Sequence, residues 1–115
     1  MKIRIKGNSL RYRLTRSEVE HFATEGVCKE VTNFGDDHLT YVLQRTAEYD
    51  VFATFKNNII TLFIPEALAD EWTSTDRVGI EADNGPMHLL LEKDFMCTDA
   101  TTEDQSDNYP NPLAR

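Results

Sequence analysis

Five cations near the start of this 115-residue chain, Lys2, Arg4, Lys6, Arg11 and Arg13, have the types and spacing to gather on one surface. Side chains two apart on a strand point the same way. Two strands joined by a tight turn at Gly7-Asn8 would therefore place all five on one face, with Ile3, Ile5, Leu10 and Tyr12 on the other. In this register Ile5 opposes Leu10 and Ile3 opposes Tyr12, so Arg4 faces Arg11 and Lys2 faces Arg13. Like charges set opposite one another weaken a hairpin unless an anion neutralises them. The chemistry such a face offers is the holding of carboxylate or phosphate groups. The charge is local: the first sixteen residues hold six of the twelve Lys and Arg and no acid, giving +6, whereas the remaining residues sum to −14 within a net −8.

A second set of reactive types, Cys97, Asp99, Glu103, Asp104 and Asp107, lies towards the C-terminus and could ligate a metal or carry thiol chemistry. Their spacing argues against both. Asp104, Ser106 and Asn108 imitate the first ligands of a calcium loop, but Tyr109 stands where the sharp turn needs glycine and Arg115 where a bidentate glutamate belongs. His21, His38 and His88 show no spacing suited to zinc. Neither a nucleophile elbow nor a phosphate-binding or dinucleotide-binding glycine pattern is present. The sequence thus nominates no catalytic residue, no metal and no cofactor. A small metal-dependent or thiol-dependent enzyme using Cys97 and the tail carboxylates remains the competing reading.

The surrounding pattern shows what must position these groups. Thr15 followed by Glu18 forms a capping box ahead of the buried stripe Val19, Phe22 and Ala23, and Gly26 ends that helix. Strands are expected over 27–33 and 39–45, with a turn at Gly35-Asp36-Asp37. With an offset of fifty residues the plan recurs. An Asn57-Asn58 turn would pair Phe55 with Ile60, Ala53 with Leu62 and Val51 with Ile64, and leave Phe52, Phe63, Thr54 and Thr61 on a second covered face. Pro65 opens a helix with Leu68 and Trp72 on one side, and strands follow near 77–82 and 87–93. The expected fold is α+β: two ββαββ units, about 1–46 and 50–96, forming a mostly antiparallel sheet, barrel-like or two-layered, with two short helices. Residues 1–96 make one domain and 97–115 an acidic, proline-containing arm.

Three sources could answer the basic face: solvent alone, on an edge hairpin that Lys and Arg protect from aggregation; the chain's own arm, with Asp99, Glu103, Asp104 and Asp107; or an external anion. In the arm, Pro110 and Pro112 stiffen the segment into an extended form that could lay Tyr109 in a groove. A pI near 4.7 argues against nucleic acid as the partner. The favoured function is a non-enzymatic binding or adaptor module whose basic hairpin holds an acidic segment, from its own arm or from a partner protein. No apolar run is long enough to span a bilayer, the N-terminus alternates instead of forming a secretory block, and Cys28 and Cys97 lack paired spacing. Those features point to a cytoplasmic protein, and they leave a single Cys28 to Cys97 bridge open and the oligomeric state unassigned.

Several stretches carry a resemblance. The opening residues 1–11, Trp72-Thr73 with Asp76-Arg77-Val78-Gly79, Leu91-Glu92-Lys93-Asp94-Phe95 with Cys97, and residues 103–112 together resemble a family of short bacterial proteins without an assigned activity. The likeness spans the chain. It implies a bacterial, soluble, stand-alone protein whose arm belongs to the natural sequence, and it assigns no site residue.

Overall fold

The computed structural model describes residues 1–95, Asp107 and Tyr109. In chain order the elements are β1 (Lys2–Lys6), β2 (Ser9–Leu14), α1 (Arg16–Glu25), β3 (Val27–Asn33), β4 (His38–Thr46), β5 (Phe52–Lys56), β6 (Ile59–Pro65), α2 (Glu66–Ser74), β7 (Gly79–Asn84) and β8 (Met87–Lys93). They form an α+β fold with two open four-stranded sheets, ordered β1-β2-β8-β7 and β3-β4-β6-β5. Neither sheet closes into a barrel, so of the two expected forms the layered one describes the molecule. Four of the six strand pairings are antiparallel; the central pairs, β2 with β8 and β4 with β6, are parallel.

Local chemistry explains most element boundaries. Gly7 takes φ +56° in the first turn, and Asn57 and Asn58 both sit in the left-handed region, at φ 52° and 62°. Two successive positive φ values match the right-handed twist of a two-residue hairpin, and asparagine tolerates them better than a branched residue. The Glu18 carboxylate accepts from the Thr15 backbone N–H at 2.9 Å at the start of α1, and Gly26 ends the helix by donating to Phe22 O at 2.8 Å. Pro65 closes β6 and caps α2 instead of opening the helix, and the residues α2 buries are Ala69 and Trp72, with Leu68 only half-buried.

Leu10, Tyr12, Leu14, Ile80, Leu89 and Leu91 of the first sheet join Cys28, Leu43, Leu62 and Ile64 of the second in one core, completed by Val19, Phe22, Ala69 and Trp72 from the helices. Tyr12 ties the layers. Its hydroxyl donates to Ile60 O at 3.0 Å, and its ring meets Tyr41 edge-on at 6.1 Å. The expected coverage of the opposite face of β5 and β6 is only partial: Phe52 and Phe63 stack on one another at 4.4 Å and stay half-buried. No helix among the described residues is long and apolar enough to cross a membrane.

The strand expected near 77–82 begins two residues later, because Arg77 and Val78 are engaged with the end of α2. Arg77 Nε donates to Gly79 O at 3.0 Å and its Nη1 reaches Glu71 at 3.1 Å, while Trp72 Nε1 donates to Val78 O at 3.0 Å. Gly79 then passes so close to β8 that a Cβ there would stand 2.9 Å from Leu91 O. Gly79→Ala should therefore destabilise the fold by about 1–3 kcal/mol, read as an earlier urea midpoint; an unchanged midpoint would show that the strand yields without cost.

Candidate functional site

The strand alternation that buries Leu10, Tyr12 and Leu14 forces Arg11 and Arg13 to the far side of β2. The pairing of β1 with β2 adds Lys2, Arg4 and Lys6 to the same side, with Arg4 opposite Arg11 and Lys2 opposite Arg13. All five cations nominated from the sequence therefore share the outward face of the first sheet. Between their side chains lie two shallow depressions of about 290 and 220 Å³, the first lined by Lys2, Ile3, Arg4, Arg11 and Arg13, the second by Arg4, Lys6, Ser9 and Arg11.

The parallel neighbour β8 supplies partial neutralisation. Glu92 Oε1 lies 3.1 Å from Arg11 Nε and 3.5 Å from Arg13 Nε, and buried Asp94 Oδ2 lies 3.1 Å from Lys2 Nζ. Neither of these sheltered oxygens has an aligned hydrogen-bond donor, so the attraction is one of charge. Among the described residues no carboxylate comes within ion-pair reach of Arg4 or Lys6. Among the described residues the face is thus anchored by acids at one end and left without them at the other, beside the turn. That turn is held in place: His88 N donates to Asn8 O at 2.8 Å and Asn8 Nδ2 to Pro86 O at 3.3 Å.

Of the arm residues, Asp99, Glu103 and Asp104 lie outside the described residues, as does Cys97. Asp107 and Tyr109 are placed at the start of α1 and the end of β8. Ser17 Oγ donates to Asp107 Oδ2 at 2.5 Å, Arg16 N to Asp107 O at 3.0 Å, and Tyr109 N to Asp94 O at 2.8 Å. A carboxylate beside free helix N–H groups meets the positive end of the helix, and the Ser17 hydroxyl holds the Asp107 carboxyl below the usual range. The Tyr109 ring lies 5.6 Å from Phe95, with the Arg16 guanidinium at 5.7 Å and Lys93 Nζ at 5.5 Å. Tyr109→Ala should cost about 1–2 kcal/mol through lost apolar burial and cation–π contact. A thermal midpoint equal to wild type would mean that this dock contributes nothing.

Sequence reading missed a further charged cluster around Met1. Its ammonium, partly buried, pairs with Glu18 and lies 3.0 Å from Glu30, while Tyr41 Oη donates to Met1 O at 3.2 Å. Burial alone would lower the pKa of this amine; hydrogen bonds and charge from Glu18 and Glu30 outweigh it and hold the pKa above the ordinary 8.0. Burial likewise opposes ionisation of Glu18, but the Met1 ammonium and the Thr15 N–H keep its pKa below the usual 4.5. The amine's contribution to stability is complete below about pH 8 and is lost as pH rises through its raised pKa; that of Glu18 is complete above about pH 4.5 and is lost as pH falls through its lowered one. Acetylation of the Met1 nitrogen should lower the thermal midpoint at pH 7 and abolish this part of the alkaline loss. Identical melting profiles of both forms from pH 6 to 10 would refute the assignment.

Cys28 is a free, buried thiol whose pKa burial raises. His88 lies 2.8 Å from both Asp83 and Glu81, and the hydrogen bond it donates to the Asp83 carboxylate leads in raising its pKa. Among the described residues no three His, Cys, Asp or Glu side chains are arranged to hold a metal. The model of a family of unknown function, DUF7009, matches residues 1–113. No curated protein and no solved structure matches the chain.

Proposed function

Because the chain belongs to this family of unknown function, we propose a role from the face itself: a non-enzymatic binding module that holds an acidic protein segment on the outward side of β1 and β2. The observation that carries the reading is that Arg4 and Lys6 stand exposed beside Arg11 with no carboxylate of the described chain within reach. Opposed Arg4 and Arg11 repel one another, and an arriving carboxylate relieves that repulsion while accepting charge-assisted hydrogen bonds. The depressions between them are shallow enough for an extended segment and offer no deep pocket to a small molecule. The docking of Asp107 and Tyr109 at α1 supports another chain, not those arm residues, as the occupant. Two halves with the same ββαββ order, each giving one hairpin to each sheet, support reading the chain as two copies of one unit, of which only the first carries the basic face.

The test is titration of the full chain with a fluorescent peptide of about ten residues rich in Asp and Glu, against its Asn/Gln counterpart. The acidic peptide should bind at least about tenfold more tightly, with affinity falling as salt rises. Equal affinity for both peptides would overturn the proposal.

A further inference from the structure

The outward face of the first sheet is basic on one half and acidic on the other. Its residues lie in rows across β1, β2, β8 and β7. The row that begins at Arg4 ends at Glu81, the row that begins at Lys6 ends at Asp83, and in the third row Arg13 on β2 stands beside Glu92 on β8. The two terminal acids are open: the side chains of Glu81 and Asp83 are 64% and 81% exposed, and His88 between them leaves carboxylate oxygens for a second cation.

Such a pattern is complementary to itself. When two copies stack these faces, a twofold axis parallel to the strands and midway between β2 and β8 exchanges β1 with β7 and leaves every row at its own level. Arg4 then comes over Glu81 of the second copy, Lys6 over Asp83 and Arg13 over Glu92, and symmetry repeats each pairing. Near the axis, Arg11 of one copy lies over Leu90 of the other, where the aliphatic stem can pack. An axis on β2 would instead set Arg11 over Arg11, and one on β8 would set Glu92 over Glu92.

We infer that the acidic segment held by the basic half is the β7–β8 half of a second copy of this chain, so that the protein pairs face to face. The inference rests on the binding reading above and goes further by naming the partner. Two copies at −8 each repel at a distance, so near-physiological salt, which screens distant charges more than close pairs, is the condition in which pairing should show.

Sedimentation equilibrium of the full chain should show the mass rising from 13.2 kDa towards twice that value with concentration. R4E/K6E and E81K/D83K should each stay monomeric alone, one with acid facing acid and the other with base facing base. An equimolar mixture of the two should recover the doubled mass, which also shows that both variants are folded. Wild type that stays at 13.2 kDa throughout, or association that persists in both variants, would overturn the inference. E81Q/D83Q separates the two proposals, because it keeps the basic half while losing the acids. If it binds the acidic peptide while wild type never doubles in mass, only self-pairing fails; if it does not bind the peptide, the binding reading fails as well.

Discussion

At concentrations where the wild-type chain is monomeric, R4E/K6E is expected to melt no lower than it while binding an acidic peptide on the order of 100-fold more weakly, equivalent to about 2.8 kcal/mol. The two effects have opposite signs for one reason. In the free protein Arg4 stands directly opposite Arg11; reversing one charge converts a repulsive cross-strand pair into an attractive one, a change of about 0.2–1 kcal/mol in favour of folding. Lys6 lies opposite uncharged Ser9, so its reversal adds no like-charge contact across the hairpin. The same substitutions place two carboxylates where the incoming acids must sit, and close like charges at an interface cost several kcal/mol. A variant that loses affinity because it unfolds would melt early. Melting temperature and affinity read on the same samples therefore separate a functional face from a merely solvated one: unchanged affinity would mean that the cations serve only to protect an edge strand.

Trp72→Ala should remove about 3–5 kcal/mol of stability, the largest loss expected of any single substitution considered. Trp72 is completely buried, lies edge-on to Phe22 at 6.4 Å and has Lys93 Nζ 5.8 Å from its ring centre. Its indole N–H donates to Val78 O, at the entry to β7. Truncation therefore opens a cavity between the helices and removes one of two donors to Val78 O, which keeps the Lys93 N–H at 3.0 Å. Lys93, itself buried with its ammonium donating to Thr75 O at 2.7 Å, would lose the ring it rests against. Against a typical total of 5–15 kcal/mol this is a large share. Trp72→Phe keeps a ring but not the donor and should cost about 1–3 kcal/mol. Circular dichroism should follow the unfolding, because Trp72 is the chain's single tryptophan; a loss below about 1 kcal/mol for the alanine variant would contradict the packing described.

How far the sequence could be read depended on the range of the interaction. The β1–β2 register was legible because a two-residue turn fixes which residues oppose, and Arg4 does lie opposite Arg11 and Lys2 opposite Arg13. The helix that begins after Thr15 was legible for the same local reason. The partner of β2 was not, since a parallel pairing of Ser9–Leu14 with Met87–Lys93 leaves no mark in either segment. With it went the positions of Glu92 and Asp94 beside the basic face, and the acidic half on β7. Which hairpins share a sheet escaped for the same cause: each sheet joins one hairpin from each half of the chain. The Met1 cluster could have been suspected only from Glu18, whose capping role hides a second partner across 17 positions. For Pro65, its missing N–H suited either the last strand position or the first helical one, and the ladder with Thr46 decided for the strand.

The central claim is that the outward side of β1 and β2 holds carboxylates. Amide chemical-shift mapping of the isotopically labelled full chain during titration with the Asp/Glu peptide tests it most directly. The account predicts that the largest saturable shifts fall on Lys2, Arg4, Lys6, Arg11 and Arg13 and the turn between them, and that they vanish in R4E/K6E. Shifts centred elsewhere on the molecule, or none at saturating peptide, would contradict it.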